Sequence, residues 1–353
     1  MRRVFVLLAL KLLLAPSVSA VAQAPLEIAA SDPRFYLLQP FTASESAQRQ
    51  KIHHIGIEVE LVADTYIVSS LLDGYPAMQA GVRRGDRILR LNAAPFHPLD
   101  SFAFANSPGG DSPAAAATAW PVTLELTRDG QPLTLNMLTV YENLFDSRRT
   151  AALASIQQFS AGNKIIAYYH PWVLSRNLND LLGFMQSIES VAQSDGIILD
   201  LRDSYGFLSI QHVDAFLPTR LNLITPVGPG NLHTRIEPNS PSLRARHYGK
   251  PVAVLINGGT AGGAELLAYQ LATLDRVTTI GEVSAGQLGV YQLQQNAGAA
   301  TLRYLPAAHT TIDGVALPDF RVIPELAIDY PLSNTTRSDP QFEAAYNVLL
   351  GRI

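Results

Sequence analysis

The chain has 353 residues, a hydrophobic fraction of 47% and a formal net charge of −4. This length is enough for two or three domains, and the mild negative charge argues against a nucleic-acid-binding protein. Cysteine is absent, which excludes disulfide bonds, thiol catalysis and cysteine-ligated metals. No residue pattern in the chain indicates a metal or any other cofactor.

Residues 1–24 have the features of a secretory signal peptide. Two arginines precede an apolar run over residues 4–14 that only Lys11 interrupts, and small residues before positions 21 and 25 provide two candidate cleavage sites. An uncleaved membrane anchor is the alternative, but the run is short for a span. No other segment approaches that length. We therefore expect an exported mature protein without a membrane span, located in the bacterial periplasm.

Residues 25–50 are predicted to form a short helical lead-in, followed by a β-rich domain over residues 51–142. Apolar and polar residues alternate over residues 54–61, as they do in a half-buried strand. Further short strands and one brief helix, which starts near Pro76, complete this domain.

Two segments of this domain resemble the central signature of a bacterial PDZ domain. They are Tyr75-Pro-Ala-Met-Gln-Ala-Gly81 and Gly85-Asp-Arg-Ile-Leu-Arg-Leu-Asn92. The resemblance implies that a peptide C-terminus binds as an added strand, with the backbone N–H groups of Ile55, Gly56 and Ile57 holding its carboxylate. The alternative is a PDZ shape that serves only to pack one domain against another.

Residues 150–353 are predicted to form an α/β core. Apolar runs at 164–169, 196–202 and 252–256 are typical of buried strands, and segments with helical spacing alternate with them. Strands that alternate with helices favour a largely parallel sheet. The chain as a whole is therefore predicted to be a mixed α/β, multidomain protein with a PDZ domain before this core.

The segment after the last of these strands, Asn257-Gly-Gly-Thr-Ala-Gly-Gly-Ala-Glu265, lacks a serine where a known family has one. It resembles the nucleophile segment of the carboxyl-terminal processing proteases, also called tail-specific proteases, and alignment puts Gly262 at the catalytic serine. The lysine base of that family falls on Gln287, and glutamine does not accept a proton at ordinary pH. No lysine follows Lys250 in the chain. The resemblance thus implies a serine protease scaffold without its Ser–Lys dyad.

The resemblance also implies oxyanion-type donors, namely the backbone N–H groups of Gly206 and Gly263. Tyr205 and Phe207 replace a proline and a second glycine of the family, and Phe207 adds bulk beside the first donor. The accessory glutamine of the family falls on Tyr291.

The similarity covers nearly the whole mature chain. The strand predicted at residues 299–304 and the motif at 314–319 resemble the closing hairpin of the family, and the helix predicted at 339–350 resembles its C-terminal helix.

Two hydroxyl groups near the lost positions, those of Thr260 and Ser284, are alternative nucleophiles. Thr260 is more typical of a residue that caps the following helix, and Ser284 of a turn residue. His170 or His212 is conceivable as a base, although a lone histidine is more often a surface or hydrogen-bonded residue.

Two other polar groups are more typical of structure than of chemistry. His53 and His54 are adjacent on a predicted strand, where neighbouring side chains point to opposite faces, so we expect no metal site there. Asp200 and Arg202 end a buried strand, and we expect them to form a structural pair.

Three functions remain open from the sequence. The favoured one is a non-proteolytic relative, a pseudoprotease, that binds peptide or protein C-termini, because the Gly262–Gly263 turn keeps N–H donors that hold a carboxylate without cutting. The second is an active endopeptidase with a displaced nucleophile. The third is a structural partner of an active homologous protease, and a homo-oligomer also remains open.

Overall fold

The computed structural model describes residues 27–42, 50–103, 118–217, 223–227, 232–236, 247–296, 299–306, 311–312, 315–316, 320–332 and 338–353. The predicted signal peptide lies outside these residues, and so does most of the motif at 314–319. Within the described part of the chain, no helix combines the length and apolar character needed to cross a membrane.

Short strands make up much of the described chain. They are β1 (Glu27–Ala29), β2 (Ile52–His54), β3 (Ile57–Val62), β4 (Thr65–Leu71), β5 (Arg87–Leu91), β6 (Ala94–Pro95), β7 (Pro121–Arg128), β8 (Gln131–Leu138), β9 (Val140–Glu142), β10 (Gln157–Ala161), β11 (Lys164–Tyr169), β12 (Val173–Leu174), β13 (Gly196–Asp200), β14 (Tyr205–Gly206), β15 (Leu223–Val227), β16 (Leu232–Ile236), β17 (Val252–Ile256), β18 (Val277–Gly281), β19 (Gly289–Asn296), β20 (Ala299–Pro306), β21 (Thr311–Ile312), β22 (Val315–Ala316) and β23 (Leu326–Ala327).

The helices lie between these strands and at the C-terminal end. They are α1 (Pro33–Leu38), α2 (Pro76–Gln79), α3 (Leu144–Ala154), α4 (Leu178–Ser190), α5 (Ile210–Asp214), α6 (Gly263–Ala272) and α7 (Pro340–Leu350), with 3₁₀ turns at Gln39–Phe41 and Asp100–Phe102.

An antiparallel sheet occupies the region predicted to be PDZ-like. Its strand order is β3-β4-β5-β7-β8, β6 pairs with β5, and β2 pairs with β9 beside it. Its own hydrophobic core contains Ile55, Val68 and Leu124. Strand β3 lies at the edge of this sheet, and among the described strands it pairs with β4 alone. We call this part the N-terminal sheet unit; its identification as a PDZ domain stays a prediction.

A six-stranded sheet forms the centre of the rest, in the order β10-β11-β13-β17-β18-β23. All neighbouring pairs are parallel except β10 and β11, so the sheet is mixed, with an antiparallel strand at one edge. Every residue of β13 and β17 is buried, because helices cover both faces. Residues of α4 and α6 join the core on one face, and residues of α7 join the core on the other.

The N-terminal segment folds back onto the far end of the chain. Strand β1 pairs antiparallel with β20, where Ile28 lies opposite Leu302, and Thr42 bridges to Tyr291 on β19. The prediction of a helical lead-in over residues 25–50 therefore needs a correction, because a strand precedes its short helix. The partner of that strand lies far along the chain, where local periodicity gives no sign of it.

Candidate functional site

The turn between β17 and α6 carries Gly262, which the sequence resemblance aligns with the catalytic serine. Gly262 has φ 59° and ψ −122°, and it is the N-cap residue of α6, where no side chain caps the helix. Such a backbone is open to glycine at little cost and strains any other residue. A sharp strand-to-helix turn of this kind is where hydrolases expose a nucleophile. The backbone at Gly262 therefore has the form of such a turn, and glycine brings no side chain to it.

The space beside Gly262 is already occupied. A Cβ atom placed there would lie 2.8 Å from the carbonyl oxygen of Gly206 and 3.1 Å from Cε2 of Tyr205. A Cβ atom at Gly263 would overlap the backbone N of Leu208. Neither glycine has room for a side chain, because the loop at residues 205–208 packs directly on the start of α6.

The predicted oxyanion donors come together, but in a closed arrangement. Gly206, Gly262 and Gly263 are all buried. The loop that contains Gly206 pairs with β12, and the Phe207 N–H donates to the Leu174 carbonyl at 2.9 Å. The Phe207 N–H is therefore already used in a hydrogen bond within the fold.

An aromatic cover, formed by Phe41, Tyr205, Phe207 and Tyr291, lies over this turn. The Phe41 ring centroid is 5.0 Å from that of Tyr205 and 5.3 Å from that of Phe207, and Tyr205 is 5.9 Å from Tyr291. The Tyr205 hydroxyl is buried and has no hydrogen-bond partner within the described chain. Phe41, from the N-terminal segment of the chain, is part of this cover, and the cover shields the start of α6 from solvent.

The segment that carries Gln287 is held by a buried carboxylate. Glu265 accepts hydrogen bonds from Ser284 Oγ at 2.6 Å, from Gly286 N at 2.5 Å and from Gln287 N at 3.1 Å. Burial raises the pKa of Glu265. The guanidinium of Arg321 lies directly on Gly286. This segment is fixed in place, and the half-buried side chain of Gln287, at the position where the resemblance predicts the lysine, is not a proton acceptor.

The Thr260 hydroxyl is committed to the backbone. Thr260 is fully buried, donates to the Leu201 carbonyl at 2.8 Å and accepts from the Asn257 N–H at 3.0 Å. The prediction that it caps the following helix is wrong, because the N-cap of α6 is Gly262 and no side chain caps the helix. Its hydroxyl instead ties the turn to the end of β13.

Ser284 is also committed. It is 4% exposed, donates to Glu265, and accepts from the Val322 N–H at 2.7 Å. A hydroxyl and a carboxylate do lie within hydrogen-bonding distance here. Glu265 is fully buried and already holds three donors, however, so the pair shapes the turn and offers a substrate no access.

The two candidate histidines contact neither hydroxyl among the described residues. His170 Nε2 donates to the Arg202 carbonyl at 2.8 Å. His212 Nδ1 accepts from the Ser209 N–H at 2.9 Å, and burial lowers the pKa of His212 to about 3. Both rings therefore have structural partners.

Asp200 and Arg202 form a close pair at the end of β13. Arg202 binds both Asp200 oxygens and also donates to Asp339 Oδ2 at 2.7 Å, which ties the strand to the start of α7. Burial raises the pKa of Asp200, but the charges of Arg202 and His170 and the hydrogen bonds from Arg202 outweigh it and lower the pKa to about 2.

One backbone N–H group of the predicted carboxylate-binding loop already has a hydrogen-bond partner in the chain. Ile55 is fully buried, and the Gly56 N–H donates to His54 Nδ1 at 3.1 Å. The His53 ring stacks on Trp120 at 3.8 Å, away from His54. No group of three or more His, Asp or Glu residues in the described chain is arranged to hold a metal ion.

The edge of β3, next to this loop, is open. Ala63 and Asp64 have positive φ and form a two-residue hairpin turn between β3 and β4. Such a turn makes Val62 and Thr65 a hydrogen-bonded pair, so the N–H group of Leu61 faces outward. Leu61 is 60% exposed and Val62 42% exposed. Ile57 begins this strand and is half-buried.

One arginine that the sequence pattern does not distinguish connects the N-terminal sheet unit to the loop after β13. Arg148 in α3 forms an ion pair with Glu58 of β3 and donates to the backbone carbonyl of Asp203 at 2.6 Å. The contact links the open strand to the loop that follows β13. The three residues are far apart in sequence, so no spacing pattern could have revealed it.

The sequence profile of Peptidase family S41 matches residues 153–328. The central part of the chain is therefore similar to this peptidase family. A carboxy-terminal-processing protease of Bartonella bacilliformis is 27% identical over 303 residues, covering 84% of this chain and 64% of the relative. The carboxy-terminal processing protease CtpA of Bacillus subtilis is 25% identical over 298 residues, covering 78% of this chain and 58% of the relative.

The chain therefore spans less than two thirds of the length of these two relatives. The crystal structure of a putative S41 protease from Bacteroides fragilis has a similar fold, with a TM-score of 0.56 and 14% identity over 94% of this chain and 87% of that one.

Proposed function

We propose that this S41-like protein is non-proteolytic and binds peptide or protein C-termini. The observation that carries the proposal is the turn at Gly262. The position has no side chain, and the Gly206 carbonyl and the Tyr205 ring occupy the space that a nucleophile would need.

The surroundings of the turn support the loss of proteolysis. The position of the base is Gln287, and the hydroxyls of Thr260 and Ser284 are buried and hydrogen-bonded to the fold. General-base catalysis needs a hydroxyl within reach of both a proton acceptor and a substrate. An active endopeptidase with a displaced nucleophile is therefore disfavoured.

The free edge of β3 supports peptide binding. An extended peptide binds a sheet edge through main-chain hydrogen bonds, and pockets for its side chains supply specificity. The names of the relatives describe processing at carboxyl termini, which supports a C-terminus as the ligand. The features of residues 1–24 support export to the periplasm.

A matched pair of variants tests this proposal. Leu61→Pro removes one outward N–H without breaking the β3–β4 ladder, and Leu61→Ala keeps that N–H. We expect Leu61→Pro to bind a labelled peptide with an apolar, free C-terminus about tenfold more weakly than Leu61→Ala, as loss of roughly one hydrogen bond predicts. Amidating the peptide C-terminus is expected to weaken binding by a similar factor.

Fluorescence anisotropy measures these affinities, and mass spectrometry of the recovered peptide checks for cleavage. Cleavage by the unaltered protein would overturn the non-proteolytic part of the proposal. Equal affinities of the Pro and Ala variants would overturn the assignment of the edge.

A second candidate is assembly with a homologous protease or with a second copy of this chain. Three leucines on α3 and α4, Leu153, Leu178 and Leu182, are 56%, 68% and 50% exposed. Arg149 of α3 binds Asp180 of α4 at 3.0 Å, which holds the two helices together. Contiguous exposed apolar surface is typical of protein interfaces. Light scattering separates this candidate from a monomeric binder.

A further inference from the structure

A cavity of about 230 Å³ lies where the N-terminal sheet unit meets the central sheet. Residues of β4 form one wall, and residues at the carboxyl ends of β11, β13, β17 and β18 form the opposite wall. Crevices at the carboxyl ends of parallel strands are common ligand sites. We call it the junction cavity.

The charges that line the junction cavity do not balance. Five carboxylates and two guanidinium groups face it. Arg202 is bound to Asp200 and Asp339. Arg84 donates to the backbone carbonyls of Tyr330 and Pro331. Both cations in the wall are therefore already committed.

The other three carboxylates have neutral partners. Asp73 accepts from Trp172 Nε1 at 3.0 Å, Asp203 from Asn257 Nδ2 at 3.0 Å, and Glu282 from the Tyr330 N–H at 2.8 Å. Asp73 is only 8% exposed, and burial raises the pKa of both Asp73 and Asp203. The Arg148 guanidinium lies near Asp203 and acts against the rise in its pKa, so Asp73 and Glu282 are the carboxylates that favour a cation entering beside them.

Two aromatic rings form part of the wall. The Tyr330 and Trp172 rings line the cavity, and each already accepts a guanidinium of the chain itself. Arg84 lies over Tyr330 at 4.0 Å, and Arg148 lies over Trp172 at 5.4 Å. Trp172 is also stacked on His170 at 3.7 Å, so these rings already have partners, and the carboxylates carry the attraction for an entering cation.

The arrangement favours an organic cation over a metal ion. The three carboxylates come from different segments, and no group of three or more described His, Asp or Glu side chains is set to hold a metal. A guanidinium spreads five N–H donors over a plane and an ammonium carries three, so either can reach separated oxygens. Leu71 and Met78 in the wall supply apolar surface for an alkyl chain.

We propose that the junction cavity binds an alkylguanidinium or alkylammonium group. The group belongs either to a free small cation or to an arginine or lysine side chain of a peptide. The site is separate from the turn at Gly262 and does not depend on the capture of C-termini at β3.

Calorimetric titration with agmatine, an alkylguanidine, tests the cavity directly, and N-butylurea is the neutral control. Asp73→Asn and Glu282→Gln each remove a charge while keeping an oxygen for Trp172 or Tyr330, and Glu60→Gln removes an exposed carboxylate outside the cavity. We expect agmatine to bind and butylurea not to. Each cavity variant should weaken agmatine binding about tenfold, as loss of one charged partner predicts, and Glu60→Gln should leave it unchanged.

Three outcomes would overturn the proposal: no binding of agmatine, equal binding of butylurea, or unchanged affinity in both cavity variants. Thermal unfolding of each variant confirms that it is folded. A peptide with one internal arginine and its citrulline twin distinguish the sources of the cation. If Asp73→Asn weakens the arginine peptide as well as agmatine, and the citrulline twin does not bind, a side chain can supply the cation; if it weakens agmatine but not the arginine peptide, the cation is a free molecule. Leu61→Pro should leave agmatine affinity unchanged, which separates this site from the β3 edge.

Discussion

The N-terminus of α6 and the edge of β3 are the two places on which the proposed function depends, and they differ in how open they are. At α6, the loop at 205–208 and the aromatic cover fill the approach. At β3, the strand keeps one side free and leaves Leu61 exposed. The difference shows that packing within one chain can close one backbone turn while a strand edge elsewhere stays exposed.

The strongest test of the comparison removes the centre of the cover. Phe41 is 2% exposed, so Phe41→Ala should lower the free energy of unfolding by about 3–5 kcal/mol. Leu61→Ala on the open edge should change it by no more than about 0.5 kcal/mol. Urea denaturation measures both. Similar losses in the two variants would mean that the cover is not packed as described.

A serine introduced at Gly262 tests whether the packing around this turn leaves room for a side chain. Gly262→Ser must adopt a positive φ and push against Gly206 and Tyr205, so we expect it to lower the free energy of unfolding by about 3 kcal/mol. The loss should be smaller by about 1 kcal/mol when Tyr205→Ala is also present, because the two positions are in contact.

A double-mutant cycle in urea gives this coupling. Since the Gly206 carbonyl still crowds the position, we also expect the Gly262→Ser, Gln287→Lys double variant to remain without peptidase activity. A stable and active double variant would show that the closure is easily reversed.

Acid pH should lower the stability of the protein through His54, which lies close to the start of β3. Burial lowers the pKa of His54 to about 4, while an unfolded histidine titrates near 6.5. Between these values the unfolded state binds the extra proton, so stability falls as pH falls, by about 1.4 kcal/mol per pH unit for this group. Burial also lowers the pKa of His212, to about 3, so His212 likewise reduces stability as the pH falls.

The His54→Asn variant measures the contribution of His54 to this pH dependence. Between pH 6.5 and 4, its free energy of unfolding should fall less than that of the unaltered chain. Urea midpoints at several pH values provide the measurement. Equal slopes would mean that His54 is not buried as a neutral ring beside Gly56.

The sequence was sufficient for the features that depend on local pattern. The buried strands at 196–200 and 252–256 and the helix that begins after Gly262 follow from apolar runs and spacing. The closure of the site depends on contacts between distant segments, such as Phe41 on Tyr205, which no local pattern encodes. Thr260 illustrates the limit, because its position before a helix suggested a cap and its hydroxyl instead binds the end of β13.

The pairing of β1 with β20 has a consequence for the order in which the protein folds. Ile28 and Leu302 are about 270 positions apart, so β1 finds its partner only when synthesis of the chain is nearly finished. Domains generally fold as they emerge, and contacts of such long range form late. The central strands and α6 can assemble first, with the turn at Gly262 still uncovered. The N-terminal segment, which is made first, is then the last piece to be put in place.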